Sequence, residues 1–361
     1  RRWNNLVWIY RWTGTCLMSR TAHKLLSASG SKGAYEIDQS VLLNKGDSAL
    51  LYRTPSSEGN RKTWTYSCWF KRSTVGITSG TSSYQWLFAS SIYGGNETSI
   101  RRQADHLHVY GYDGGSSDFS YYSYDVLRDV SAWYHLVVIC DTTESAEADR
   151  VKIYLNGKTL SWDTPNHASL NFDTMINNTN WHAIGAYQNS SGNTGLYQWD
   201  GLVAEAYLLD GTAKAVSAFG ETDSVTGQWI PKKTAFTSSE YGTNGFYLKF
   251  VSGAIGTDSS GEGNNYTLNS LANADVLLDS PTNNYPTINS LTPYNTTISN
   301  LSQGNLHVKA VTYDSGYYGN HIATVSVPES GKWYIETRMA VESGTGNTSW
   351  IGVMPQTLAI I

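Results

Sequence analysis

Charge is scarce in this chain. Only 15% of its 361 residues are charged, and 25 Lys+Arg against 30 Asp+Glu leave a net charge of −5. The basic field of a general nucleic-acid binder is therefore missing. Apolar runs are short as well. None approaches the roughly 20 residues that a membrane-spanning helix needs, so the sequence gives no sign of helical membrane insertion. Cysteine is scarcer still. Cys16, Cys68 and Cys140 are odd in number and far apart, and without a C-x-x-C spacing they provide no metal framework. Cys68 and Cys140 fall inside strand patterns and read as buried free thiols, which pack like small hydrophobes. A Cys68–Cys140 disulfide between two sheets is the alternative. Sustained 3.6-residue periodicity is absent between residues 37 and 210, which excludes a helical domain there.

Aromatics are abundant. They make up 13% of the chain, with 13 Trp and 25 Tyr among many Gly, Ser, Thr and Asn. This composition suits an all-β protein with many turns and is too aromatic for disorder. The pattern agrees. In "TWTYSCWFKRS", Trp64, Tyr66, Cys68 and Phe70 share one face, while Thr65, Ser67, Trp69 and Lys71 share the other. Such a period of two marks a strand with one face in a core. "WYHLVVICD" puts Leu136, Val138 and Cys140 together. "RVKIYLNGKTLSW" does the same for Val151, Ile153 and Leu155, then turns at Asn156-Gly157, a preferred two-residue hairpin turn. "SALLYRT", "YQWLFASSIY", "DHLHVYGYD", "WHAIGAYQ", "GLYQWDGLVAEAYLLDG" and "NGFYLKF" read as further strands, and "TAKAVSAFGE" as a helical turn. Many short antiparallel strands with closely spaced turns indicate a sandwich or jelly roll.

Four segments follow. Residues 1–36 form a leader. Its apolar stretch is broken by Asn4, Asn5 and Arg11, which argues against a signal peptide. Met18 reads as a natural start, with 1–17 upstream or fused sequence. Residues 37–250 hold the main strand pattern. Residues 251–303 are polar and carry Pro281, Pro286 and Pro293, the character of a linker or an extended packed strap. Residues 304–361 begin a second β pattern.

The segment 37–250 resembles the laminin-G/concanavalin A-like jelly rolls. "TWTYSCWFKRS" is similar to their early Trp strand, "AWYHLVVICDTT" with "RVKIYLNGKTL" to their central pair, and "YQWDGLVAEAYLLDG" to their closing strand. "MSRTAHKLLSASG", "IDQSVLLNKGDSALLYRTPSSEGNRKTWT" and "FGETDSVTGQWIPKK" resemble a group of marine phage and prophage proteins taken to be virion or tail components. Residues 304–361 resemble the first part of a SPRY domain through "GKWYIETRM" and "WIGV". The expected fold is thus all-β: an antiparallel jelly-roll β-sandwich, a linker, and a partial second β-sandwich. Fold alone assigns no function.

Candidate chemistry is sparse. Glycosidases on this architecture place an E-x-D-x-(x)-E set on one strand face. "EIDQSV" offers only Glu36 and Asp38, and "EADRVK" only Glu147 and Asp149. Both read as solvated charges. "GDSALL" precedes a strand in an antiparallel pattern, the wrong context for an esterase nucleophile, and reads as a turn. His106 and His108 share a strand face. That spacing suits a metal, but no third ligand accompanies it, so they read as a surface pair. Laminin-G relatives bind calcium at a rim. In "YDGGSSD" that resemblance makes Asp113 and Asp118 candidate calcium ligands.

Aromatic residues beside polar loops carry the functional expectation. Sugar rings present apolar C–H faces that stack on Tyr and Trp, while polar neighbours bond the hydroxyls. The candidate ligand-binding residues are Tyr110, Tyr112, Asp113, Tyr121, Tyr122 and Tyr124, around the Gly114-Gly115 turn, together with Trp181 and Tyr187 beside other polar loops. The competing reading places these rings in the core. The expected function is a non-enzymatic module of a phage virion, resembling a tail fibre or adhesin, that attaches to a host cell-surface glycan. Its other expected partners are virion proteins and further copies of itself. The alternatives are a structural decoration or scaffold protein of the virion and, further off, a polysaccharide depolymerase.

Overall fold

The computed structural model describes residues 15–17, 35–75, 84–188, 195–290, 299–310, 321–326 and 338–340. The chain divides into two units, Arg1–Leu25 with Pro286–Ile361, and Leu26–Tyr285. In the first unit, β1 (Thr15–Leu17) pairs antiparallel with β23 (His307–Ala310) and β24 (Arg338–Ala340), and β22 (Ser299–Ser302) pairs with β23. Most of 304–361, where the SPRY resemblance falls, lies outside the described residues, as does most of the leader.

The second unit contains two eight-stranded sheets. The first holds β2 (Ser40–Leu43), β4 (Thr63–Arg72), β9 (Trp133–Asp141), β10 (Val151–Leu155), β11 (Lys158–Thr159), β16 (Gly201–Asp210), β19 (Phe246–Leu248) and β21 (Val276–Leu277). Its order is β11-β10-β9-β4-β16-β2-β21, with β19 also on β16. The other holds β3 (Leu50–Arg53), β5 (Tyr84–Ser91), β6 (Glu97–Gln103), β7 (His106–Tyr112), β8 (Ser117–Val126), β12 (Trp162–Asn166), β13 (Trp181–Ile184) and β20 (Thr267–Asn269). Its order is β12-β8-β7-β6-β5-β13-β3-β20. Two small hairpins, β14 (Tyr187–Gln188) with β15 (Gly195–Leu196) and β17 (Gly220–Thr222) with β18 (Trp229–Pro231), complete the unit. The fold is an antiparallel jelly-roll-type β-sandwich, as the sequence led us to expect.

The period of two decides what is buried. Trp64, Tyr66, Cys68 and Phe70 of β4, Leu136, Val138 and Cys140 of β9, and Val151 and Ile153 of β10 all point into one core. Leu87 and Phe88, Ile100, Leu107 and Val109, Phe119 and Tyr121 meet them from the other sheet. Tyr66 and Phe88 stack across the gap, centroids 4.3 Å apart and planes within 1°. Each fully buried side chain of this size contributes about 1.5–3 kcal/mol. Cys68 and Cys140 are buried and free, so the disulfide alternative falls. Burial pushes the Cys68 thiol up to about 12.

Asn156 and Gly157 both take positive φ, 50° and 75°, and close the β10–β11 hairpin. The expected helical turn is a short 3-10 turn at Val216–Ala218. Residues 251–285 lie within the sandwich unit: β20 extends one sheet beside β3 and β21 extends the other beside β2.

The two outer faces differ. On the first sheet, Val137, Ile139, Tyr207 and Leu209 are covered by Phe219, Tyr241 and Tyr247, with Phe236 partly buried beside them. Trp229 of β18 lies on the same side, bonded to His135, which stacks on Trp69. The outer face of the second sheet carries instead a dense set of rings and charges.

Candidate functional site: the outer face of the second sheet

Register builds this face. Glu97, Ser99, Arg101 and Gln103 of β6 pair with Tyr112, Tyr110, His108 and His106 of β7. Tyr110 and His108 then pair with Ser120 and Tyr122 of β8, and Arg101 pairs with Trp86 of β5. Cross-strand partners share a face, so these side chains converge. They form two layers.

The lower layer is polar and buried. Arg101, only 8% exposed, donates to Glu97 Oε1 at 2.5 Å and, through Nε, to His108 Nδ1 at 3.3 Å. Ser99 Oγ also donates to that glutamate oxygen, at 3.1 Å. His108 Nδ1 accepts, so the proton sits on Nε2, which donates to Ser120 Oγ at 2.9 Å. Burial, reinforced by the Arg101 charge, lowers His108 to about 3 and keeps it neutral. Burial also raises the Glu97 carboxyl, and Arg101 pulls it partly back.

The upper layer is aromatic, with half-exposed tyrosines around a buried Trp86. The Arg101 guanidinium lies 4.1 Å from the Tyr110 ring centroid, 5.0 Å from Trp86 and 5.4 Å from Tyr84, within cation–π range of all three. Tyr110 and Tyr112 run near-parallel, 12° apart in plane and 6.3 Å between centroids. Tyr122 stacks on His106 at 4.7 Å. On the far side Tyr187 and Tyr197 flank Trp86 at 5.4 and 4.9 Å. Tyr187 is pinned: its hydroxyl donates to Ile92 O at 3.0 Å and accepts from Gly94 N at 3.2 Å. Burial pushes it up to about 12.

The sequence candidates divide. Tyr110, Tyr112, Tyr122 and Tyr187 belong to this face and are half buried. Asp113 is exposed at its edge, where its carboxylate accepts from Gly115 N and Ser116 N. Those two bonds hold it below the usual carboxylate range. Tyr124, 60% exposed, is set apart and donates to Asp163. Tyr121 is a correction. It is 2% exposed and part of the central core, because β8 alternates and sends Phe119 and Tyr121 inward while Ser120 and Tyr122 face out. Trp181 is a second correction. Its neighbours Leu50, Tyr52, Ala183 and Ala186 bury it to 3%. His106 and His108 are not a surface pair either, since His108 is buried and bonded at both ring nitrogens.

Calcium fits poorly here. Burial, and secondarily Asp113, raises the Asp118 carboxyl, so the two carboxylates sense one another. No group of three or more His, Cys, Asp or Glu side chains suited to a metal occurs among the described residues. Two carboxylates, one already accepting two backbone N–H groups, fall short of the roughly six to eight oxygens that calcium takes.

Sequence reading missed Arg101, Glu97, Trp86 and Tyr197. Arg101-Arg102 is the one signal that could have found the first. Two consecutive arginines in a strand must point to opposite faces, and Arg102 points inward to Gln85. A polar recess elsewhere, lined by Glu58, Gly59, Asn60, Arg61, Lys62 and Asp173, is internally paired through Glu58–Arg61 at 2.9 Å.

No family model matches this chain, and no curated protein matches it. Among solved structures it is similar to a heptameric SAP-like pentraxin from Limulus polyphemus, at 13% identity and a TM-score of 0.36 over 55% of this chain and 94% of that one. It is similar to domains LG4-5 of the mouse laminin alpha1 chain, at 9% identity and TM-score 0.35 over 63% and 50%. Domain 4 of the extracellular arabinanase AbnA from Geobacillus stearothermophilus, in complex with arabinotriose, matches at 13% identity and TM-score 0.33 over 58% and 96%. At such identities and scores these likenesses carry no argument about function.

Proposed function

We propose that this chain is a non-catalytic carbohydrate- or surface-binding module of a phage virion, resembling a tail fibre or adhesin, that attaches to a host-surface glycan. One observation carries the binding part: half-exposed tyrosines lie over a buried, hydrogen-bonded polar layer on the outer face of the second sheet. Rings fixed from below lose little freedom on binding. They offer flat apolar surface to sugar C–H faces, and Asp113, exposed beside Tyr112 at the edge of the face, is placed to meet a hydroxyl. Glu97 is engaged by Arg101 and Ser99, so we assign it no acid–base role. The virion setting rests on the sequence resemblance alone, as do the virion-protein partners.

The test is binding of the full chain to bacterial surface polysaccharides on a glycan array, beside Tyr112→Ala and a Tyr112→Ala/Asp113→Ala double variant. Losing one stacking ring should weaken binding by about tenfold, equivalent to about 1.4 kcal/mol, with the melting temperature unchanged. Failure of the wild type to bind any polysaccharide, with this face covered by a neighbouring subunit in the particle, would assign the chain to decoration instead. Release of reducing sugar would revive the depolymerase reading.

A further inference from the structure

Far from the aromatic face, on the outer side of the first sheet, Lys71 is wholly buried at the end of β4. Its ammonium has three protons to donate and three acceptors: Asp279 Oδ2 at 2.9 Å, Asn284 Oδ1 at 2.7 Å and Tyr285 O at 2.8 Å. Asp279 is buried too and accepts on its other oxygen from Trp133 Nε1 at 2.9 Å and Tyr285 N at 3.2 Å. The Asn284 carboxamide is held at both ends, since its Nδ2 donates to Ser131 O at 2.7 Å. An ion pair would need only Lys71 and Asp279. The third partner is a carboxamide whose carbonyl is fixed against the amine.

From this juxtaposition we infer that Lys71 and Asn284 form an intramolecular isopeptide bond, with Asp279 moving the protons. The set is complete for transamidation. The ammonium gives one proton to Asp279 Oδ2 along the existing hydrogen bond, and the freed Nζ lone pair adds to Asn284 Cγ. The C–Nδ2 bond then breaks, and its electron pair leaves with Nδ2. That nitrogen collects the proton held by Asp279 and the second one shed by Nζ, and departs as ammonium. Asp279 ends as the carboxylate it began as. Nothing is oxidised or reduced, and no co-reactant is needed. Holding amine and carboxamide in contact supplies the proximity that makes such a reaction fast without a separate enzyme, and a positioned carboxyl supplies general acid–base help. Asn284 is exposed on its outer side, which gives ammonia an exit. The bond ties the middle strand of one sheet to the segment after its last strand, β21.

The mass of the purified full chain tests this. The expected result is a chain lighter than its sequence by one ammonia, about 17 Da. A protease digest should then yield a branched peptide joining Lys71 to Asn284, and Asn284→Ala should return to its full sequence mass. Asn284→Ala removes one acceptor of the buried Lys71 ammonium, and a circular-dichroism spectrum matching the wild type checks that the variant still folds. A wild type at full sequence mass overturns the proposal. So does a deficit of one water, about 18 Da, which would mean a Lys71–Asp279 bond. So does a deficit that survives Asn284→Ala.

Discussion

Acidification to about pH 5.5 should weaken this sandwich through its buried histidines, and His135 isolates the effect. His135 is 1% exposed, stacked on Trp69 and near-parallel to Trp229. Its Nδ1 accepts from Trp229 Nε1 at 2.9 Å, so Nε2 carries the proton and donates to Ser67 Oγ at 2.9 Å. A second proton has no place to go. Burial accordingly lowers its pKa from 6.5 to about 3. The native state therefore refuses a proton that the unfolded chain accepts near pH 6.5. Stability from this group is complete above about pH 6.5 and drains as pH falls toward 3. Between about pH 7.5 and 5.5 the loss comes to about 1.4 kcal/mol for one such histidine. His108, lowered to about 3, and His182, lowered to about 4, bring the sum to about 4 kcal/mol, a large share of the 5–15 kcal/mol typical of a domain. Glu97, Glu205 and Asp210, all raised mainly by burial, act in the opposite sense, because the native state binds their protons first. The double difference removes them. Urea unfolding of wild type and His135→Gln at both pH values should show the wild type losing about 1.4 kcal/mol more than the variant. A difference of zero, or of opposite sign, refutes a neutral buried His135.

Two further outcomes are expected. Gly157→Ala places a Cβ at φ 75° and into the Trp229 ring; it should cost about 2–4 kcal/mol and lower Tm by roughly 4–12 °C, read by calorimetry, and an unchanged Tm would contradict the tight seat of the β17–β18 hairpin. Native protein should leave Cys68 and Cys140 unlabelled by a thiol reagent until it unfolds, since burial keeps both thiols protonated and only the thiolate reacts; peptide mapping after labelling decides it.

The polar layer under the tyrosines repeats, on a surface, a device used at the strap. Arg101 with Glu97 and Lys71 with Asp279 are both charge pairs taken out of water, each with further hydrogen bonds to neighbours. Removing one member of such a pair strands the other, which is far costlier than the pair is stabilising.

Local pattern determined much of this protein. Alternation along Trp64–Phe70 and Leu136–Cys140 fixed which side chains enter the core, because successive strand residues must point to opposite faces. Asn156-Gly157 fixed a hairpin, because both positions tolerate positive φ. Tyr110, Tyr112 and Tyr122 were legible as candidates from aromatic density beside a Gly-Gly turn, and Tyr187 from its place beside a polar loop. Tyr121 and Trp181 were not separable from them, since a Tyr or Trp has the same composition signal on either face, and only register and neighbouring strands decide which face is inside. Arg101 gained its meaning only when β5 and β7 brought Trp86 and Tyr110 to its two sides. His135 and Trp229, or Lys71 with Asp279 and Asn284, lie too far apart in sequence for any local period to join them. Strand pairing over long separations made those contacts, and burial then set their chemistry.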